Sequence, residues 1–145
     1  MVRRAGAADL AALAGLFDAY RQFYGQAPDA ALARRFLGER IARNESVLFL
    51  GALAGEPAGF CQLYPSFCSV EAAPVMVLYD LFVGPAARGR GLAGALMHAA
   101  EAHARGAGCA VHIDWARVPL LGGVHALAGR GFITGASGRN WGGYG

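Results

Sequence analysis

Apolar and polar positions along this chain fall into blocks whose period switches between helical and extended spacing. Leu10, Leu13, Phe17, Tyr20 and Tyr24 share one face at helical spacing, so a helix is predicted from Asp9, a candidate N-cap, to Tyr24. Gly25-Gln26-Ala27-Pro28 breaks it, and Asp29 is placed to cap a second helix that runs to about Arg43 and aligns Leu32, Phe36, Leu37 and Ile41. Met1 to Ala5 suits a short first strand. Ser46 to Leu53 and Ala58 to Tyr64 read as two strands joined by an Ala54-Gly55-Glu56-Pro57 turn, and Pro65 to Pro74 reads as a loop. Val75 to Val83 is an apolar run typical of a buried strand. A helix follows from Leu92 to about Arg105, with Leu92, Ala95, Leu96, Ala99 and His103 expected inside and a Glu101/Arg105 pair outside. Ala110 to Trp115 is the next strand. A short helix over Val124 to Ala128 and a strand from Gly131-Phe132-Ile133 close the pattern, and Gly135 to Gly145 gives little signal.

The chemistry concentrates between the Val75–Val83 strand and the Leu92 helix. Val83-Gly84-Pro85-Ala86-Ala87-Arg88-Gly89-Arg90-Gly91-Leu92-Ala93 joins a strand to a helix start through an Arg/Gly-rich turn. Backbone N–H groups at a positive helix end hold a phosphate or pyrophosphate without a metal, and glycines let it approach closely. Gly89, Gly91 and Gly94 spell GxGxxG, and Asp114 lies about 20 residues beyond, as a dinucleotide-binding fingerprint requires. Against that reading, Gly84, Pro85, two alanines and Arg88 separate these glycines from the strand. A nucleotide-dependent oxidoreductase nonetheless stays open at this point.

Composition narrows the class. The chain has 145 residues, 55 % hydrophobic and 16 % charged, which suits one globular domain over 1–145. A net charge of +3, carried by arginines alone and without an aromatic-interleaved basic stripe, speaks against nucleic-acid binding. No apolar run reaches the ~18 residues of a membrane helix and no secretory signal is visible, so a cytoplasmic protein without a membrane partner is expected. Cys61, Cys68 and Cys109 lack metal-ligand spacing and read as buried or half-buried free thiols. His98 is expected to be solvated. His112 has no second ligand at metal spacing, so no metal is expected, and Trp115 and Trp141 read as packing residues.

Arg88, Gly91 and Ala93 behind Leu81-Phe82-Val83-Gly84-Pro85 spell Arg/Gln-x-x-Gly-x-Gly/Ala after L-F-V-x-P. This resembles the acetyl-CoA motif of the GNAT family of N-acetyltransferases. The resemblance covers roughly Val2 to Phe132. It is nearest to small bacterial amine or polyamine-type members through Phe17 to Gly25 (F-D-A-Y-R-Q-F-Y-G), Gln62 to Phe67 (Q-L-Y-P-S-F) and Asp80 to Val83 (D-L-F-V). It implies an α/β (α+β) fold: a mixed, mostly antiparallel central sheet splayed at its middle and flanked by about four helices. Homodimers are common in the family.

The resemblance implies transfer of an acetyl group from acetyl-CoA, as co-substrate, to a primary amine of a small molecule or an exposed amino group of a peptide. Leu81, Phe82 and Val83 would hold the pantetheine arm, a backbone N–H near Phe82 or Val83 would polarise the thioester, and Arg88, Gly89, Arg90, Gly91, Leu92, Ala93 and Gly94 would hold the pyrophosphate. Related members carry Glu-Asp where this chain has Tyr79-Asp80, which leaves Asp80 as the carboxylate candidate for general base. The family's acid tyrosine falls on Leu127 and its asparagine on Leu120; His125, two residues earlier, is the titratable substitute, Tyr144 would serve only by folding back, and Tyr79 joins Asp80 and His125 as a catalytic candidate. Phe23, Tyr24, Tyr64, Phe67 and Tyr79, with Glu71 and Asp80, would form a cation-binding acceptor wall. The alternative is an acyl-CoA-binding module that has lost efficient chemistry.

Overall fold

A computed structural model describes residues 1–113 and 132–133. Strand β1 (Val2–Arg4) leads through a 3-10 turn at Ala7–Asp9 into α1 (Leu10–Phe23) and α2 (Ala30–Ala42). Strands β2 (Val47–Leu53), β3 (Glu56–Cys68) and β4 (Ala73–Val83) precede α3 (Leu92–Gly106), followed by β5 (Ala110–Ile113) and β6 (Phe132–Ile133). The sheet order is β1-β2-β3-β4-β5-β6; β1 to β4 pair antiparallel and β4 to β6 parallel. This mixed sheet matches the expected fold class and is not the doubly wound parallel sheet of a dinucleotide-binding domain. Three α-helices lie among the described residues; the helix expected at 124–128 lies outside them. No helix among the described residues is long and apolar enough to cross a membrane.

The central strands are apolar on both faces because both faces are covered. On one side Val47, Phe49, Cys61, Leu63, Leu78, Leu81 and Val83 pack against Leu92, Leu96, Met97, Ala100 and Ala104 of α3. On the other, Leu48, Leu50, Phe60 and Phe82 pack against Leu13, Phe17 and Tyr20 of α1 and Ala33 and Leu37 of α2. Alternate residues of β2 therefore serve opposite cores, as a period of two demands.

Asp29 caps α2, accepting from Leu32 N at 3.0 Å. Asp9 stands at the N-cap position of α1, but its side chain makes no capping bond to that helix. It closes the preceding 3-10 turn instead, accepting from Gly6 N at 3.0 Å and from Arg3 through both carboxylate oxygens. The Arg3 guanidinium, with the Gly6 N–H, holds the Asp9 carboxyl down at about 2. Ala54 and Gly55, at φ 50° and 81°, form the tight β2–β3 turn.

The loop expected over Pro65–Pro74 is mostly strand. Strand β3 continues to Cys68 and β4 starts at Ala73, with Pro65 opposite Met76 and Phe67 opposite Pro74. The ladder with β2 ends at Val47↔Leu63, so β3 beyond Leu63 is an edge, where proline costs no ladder bond.

The phase of α3 also differs from expectation. Ala95 is exposed and His103 half-buried, whereas Met97, Ala100 and Ala104 face the sheet. Glu101, expected outside, is only 7 % exposed and pairs with Arg105 at 2.5 Å. Alanines on all sides of this helix hide its true apolar stripe.

Leu92, the first residue of α3, sits in a notch left by two glycines. A Cβ on Gly51 would lie 2.8 Å from Leu92 Cδ1, and one on Gly59 would lie 2.7 Å from the Phe82 carbonyl oxygen. Gly59→Ala must therefore push apart β3 and β4, at a cost of about 1–3 kcal/mol. Its Tm is expected to fall by several degrees, and an unchanged Tm would show that the strands yield freely.

His103 approaches Arg4, with Nη1 to Nδ1 at 3.4 Å, and rests on the Phe49 ring. Burial, then the Arg4 charge, holds its imidazole below the usual histidine value. Protons therefore favour the unfolded chain: this contribution is complete above about pH 6.5 and is lost as pH falls through the lower folded value. Tm is expected to drop between about pH 7.5 and about pH 5, and less steeply in His103→Gln. Parallel curves would remove His103 from the account.

Candidate active site

The site starts from a β-bulge. On β4 the pairing jumps from Asp80↔Gln62 to Leu78↔Leu63, which leaves Tyr79 as the extra residue. An extra residue breaks the alternation of side chains, and Tyr79 and Asp80 both line one cavity, on the α1 side of the sheet. The described pairing of β5 with β4 covers only Val75 to Leu78. Ile113, opposite Leu78, is the last described residue of β5, so the splay expected past the bulge falls on residues outside those described.

Register decides which backbone groups of β4 point away from β3. Gly84 N donates to Ala58 O at 2.8 Å, and the Phe82 carbonyl points at Gly59. Phe82 and Asp80 therefore direct their backbone groups toward β3, whereas Leu81 and Val83 direct theirs outward. The outward N–H groups belong to Leu81 and Val83. Phe82 is turned away from that side, and its ring is buried among Phe60 and Tyr20.

Beyond β4 a 3-10 turn at Pro85–Ala87 leads to Gly89 and Gly91, at φ 77° and 78°. Gly91 is the N-cap of α3 and adopts the left-handed conformation. The N–H groups of Gly91, Leu92, Ala93 and Gly94 lack intrahelical acceptors and carry the positive end of the helix dipole. A Cβ on Gly89, Gly91 or Gly94 would meet nothing within 4 Å, so the surface here is open. Arg88 turns back: its Nε donates to the Val83 carbonyl at 3.0 Å and its guanidinium lies over Phe23 and Phe82. It braces the end of β4; both Arg88 and Arg90 are exposed cations of the turn.

A cavity of about 470 Å³ lies between α1, α2 and the bulge, lined by Tyr20, Arg21, Tyr24, Tyr64, Tyr79 and Asp80, with Phe17, Gln26 and Phe36 completing it. Asp80 is 5 % exposed and accepts from Gln62 Nε2 at 2.8 Å. The rings of Tyr64 and Tyr79 meet edge to face at 5.5 Å. Burial, then the charge of Asp80, pushes the Tyr64 phenol up, so it stays protonated at neutral pH.

Tyr24, Tyr64, Tyr79 and Asp80 thus converge as the sequence suggested, but Phe67 does not. It is 80 % exposed near the tip of the β3–β4 hairpin, and its odd position turns it to the sheet face opposite Tyr64. Phe23 is exposed beneath Arg88 rather than in the cavity. His125, Leu120, Leu127 and Tyr144 lie outside the described residues. Arg21 and Gln26 line the cavity without having been singled out. The helical spacing of Arg21 to Phe17 (i+4) and Tyr24 (i−3) was the available signal. Away from the cavity, folding brings ligand atoms of Cys68, Glu71 and His112 within 4.8 Å of one another, a grouping that linear spacing cannot reveal.

A model of the acetyltransferase (GNAT) family matches residues 13–132. The chain is 46 % identical over 110 residues to YhfO, an uncharacterized N-acetyltransferase of Bacillus subtilis (strain 168), covering 74 % of each. It superposes on the crystal structure of a probable acetyltransferase with a TM-score of 0.82 and 32 % identity, covering 97 % of this chain and 95 % of that one. It shares the fold of AAC(6')-Iy, solved with a CoA-S-monomethyl-acetylneamine bisubstrate analog, at a TM-score of 0.69 and 23 % identity over 92 % and 90 % of the two chains. With a bulge at Tyr79 in β4, a helix N-terminus that follows that strand and a family match over most of its length, the chain belongs to the acetyltransferase (GNAT) family and is an N-acetyltransferase.

Proposed function

We propose that the protein transfers an acetyl group directly from acetyl-CoA to a primary amine, on a small molecule or an exposed amino group. The observation that carries this reading is the junction at Tyr79-Asp80. There a carboxylate-bearing aromatic cavity meets a strand edge that leads straight to the N-terminus of α3. Pantetheine amides pair with the outward groups of Leu81 and Val83, and the pyrophosphate rests on the N–H groups of Gly91 to Gly94. An outward N–H of Leu81 or Val83 supports the oxyanion that develops on the thioester carbonyl.

The amine lies among Tyr64, Tyr79 and Asp80. Its nitrogen attacks the thioester carbon, the C–N bond forms, and the C–S bond breaks. Asp80, directly or through water, takes the proton that the amine loses, and the departing CoA thiolate takes up a proton. Direct transfer fits the lining, which among the described residues holds no cysteine, serine, lysine or histidine. Cys61 is sealed in the α3-side core, where burial pushes its thiol up and keeps it inert. Three free cysteines suit a reducing cytoplasm.

Initial-rate patterns test the direct route. Intersecting lines in double-reciprocal plots, with protein mass unchanged after incubation with acetyl-CoA alone, are the expected result. Parallel lines together with an acetylated protein would establish a covalent intermediate instead.

A further inference from the structure

We infer that the acceptor carries an anionic group, foremost a carboxylate, bound by Arg21, so that the substrate class is amino acids and related acid-bearing amines rather than simple amines or polyamines. This rests on the acetyl-transfer reading of the same cavity. Arg21 lies in the last turn of α1, four residues after Phe17 and three before Tyr24, and all three side chains line the cavity. Its Nη1 is buried and has no hydrogen-bond partner among the described residues. A guanidinium cannot shed its charge at any accessible pH, so this N–H stays a charged donor in need of an acceptor. Leaving such a donor unsatisfied is costly, and the cavity is the space from which an acceptor can come.

Charge placement sharpens the inference. Among the described lining residues only Arg21 and Asp80 are charged, and their signs are opposite. Asp80 sits at the bulge, beside the strand edge where the thioester would lie, and Arg21 sits on α1. Arg40, the other cation near Tyr64, is already paired with Glu39 and Glu45. A polyamine would bring a second positive charge toward Arg21 and leave Nη1 unsatisfied. An amine with a carboxylate places its nitrogen near Asp80 and its oxygens on the guanidinium, where charge-assisted and bidentate bonds are strongest. Gln26 reinforces that end: its backbone N–H donates to the Arg21 carbonyl at 3.0 Å, which places it beside Arg21 on the cavity lining.

The test compares matched amines with the CoA-loaded protein by calorimetry and with acetyl-CoA by turnover. The probes are free amino acids, their carboxamides, their decarboxylated amines, and O-phosphoethanolamine against ethanolamine. The free acid is expected to bind and react about ten- to a hundredfold better than its amide or decarboxylated counterpart. Arg21→Gln should erase that preference through KM while acetyl-CoA affinity is retained, and Arg21→Lys should restore part of it. Preference for O-phosphoethanolamine over the carboxylates would assign the anion as phosphate. Equal or better handling of amines without an anion, in protein that binds acetyl-CoA, would overturn this inference and leave acetyl transfer intact, as would failure of every acid-bearing amine to bind. Failure of acetyl-CoA itself to bind would instead overturn the reading on which the inference rests.

Discussion

Gly91→Asp is expected to abolish acetyl-CoA binding in calorimetric titration, with an affinity loss of a hundredfold or more. Two effects add. Gly91 holds φ at 78°, where a residue with a Cβ is strained by about 1–2 kcal/mol. The carboxylate would also stand at the mouth of the helix N-terminus, against the pyrophosphate that those N–H groups are placed to receive. Gly91→Ala carries the strain without the charge and should fall in between. A Cβ at this position meets no protein atom within 4 Å, so both variants should keep the fold, which circular dichroism and Tm would report. Unaltered affinity in folded Gly91→Asp would place the cofactor somewhere other than the start of α3.

Asp80→Asn is the second change with a large expected effect. The substitution preserves shape and a partner for Gln62, yet removes the only negative charge among the described cavity-lining residues. Removal of a general base costs about 10²- to 10⁴-fold in kcat, while acetyl-CoA affinity, set by β4 and α3, should change little. The acid limb of the kcat/KM profile should flatten, because that limb reports protonation of the base. A kcat within a few-fold of wild type, with the acid limb intact, would reduce Asp80 to a strand residue bonded to Gln62.

What could be read from the sequence followed the strength of local signals. The run from Leu81 to Gly94 was legible because a buried strand, a proline, two positive-φ glycines and a helix start each leave a distinct mark in residue type. Pro65 hides the continuation of β3 in the sequence, because proline usually ends strands. Only the β2 register shows that this part of β3 is an edge, where proline is harmless. Phe67 enters the expected acceptor wall through the resemblance alone, and only the β3–β4 register shows that it faces away from Tyr64. The bulge at Tyr79 left no mark either, since no glycine announces it, and so the joint orientation of Tyr79 and Asp80 was invisible until β3 was paired. The phase of α3 was lost among alanines that suit either side. Arg21 carries no mark in the sequence beyond its helical spacing to Phe17 and Tyr24, and the burial of its Nη1 depends on tertiary packing.

The most direct test of the central claim is the release of free CoA thiol from acetyl-CoA across a panel of primary amines, with the acetylated product identified by mass spectrometry. The account expects thiol release that depends on the amine and matches the N-acetyl product one to one. Tight acetyl-CoA binding with no amine-dependent thiol release would contradict it and leave a domain that holds the cofactor without using it.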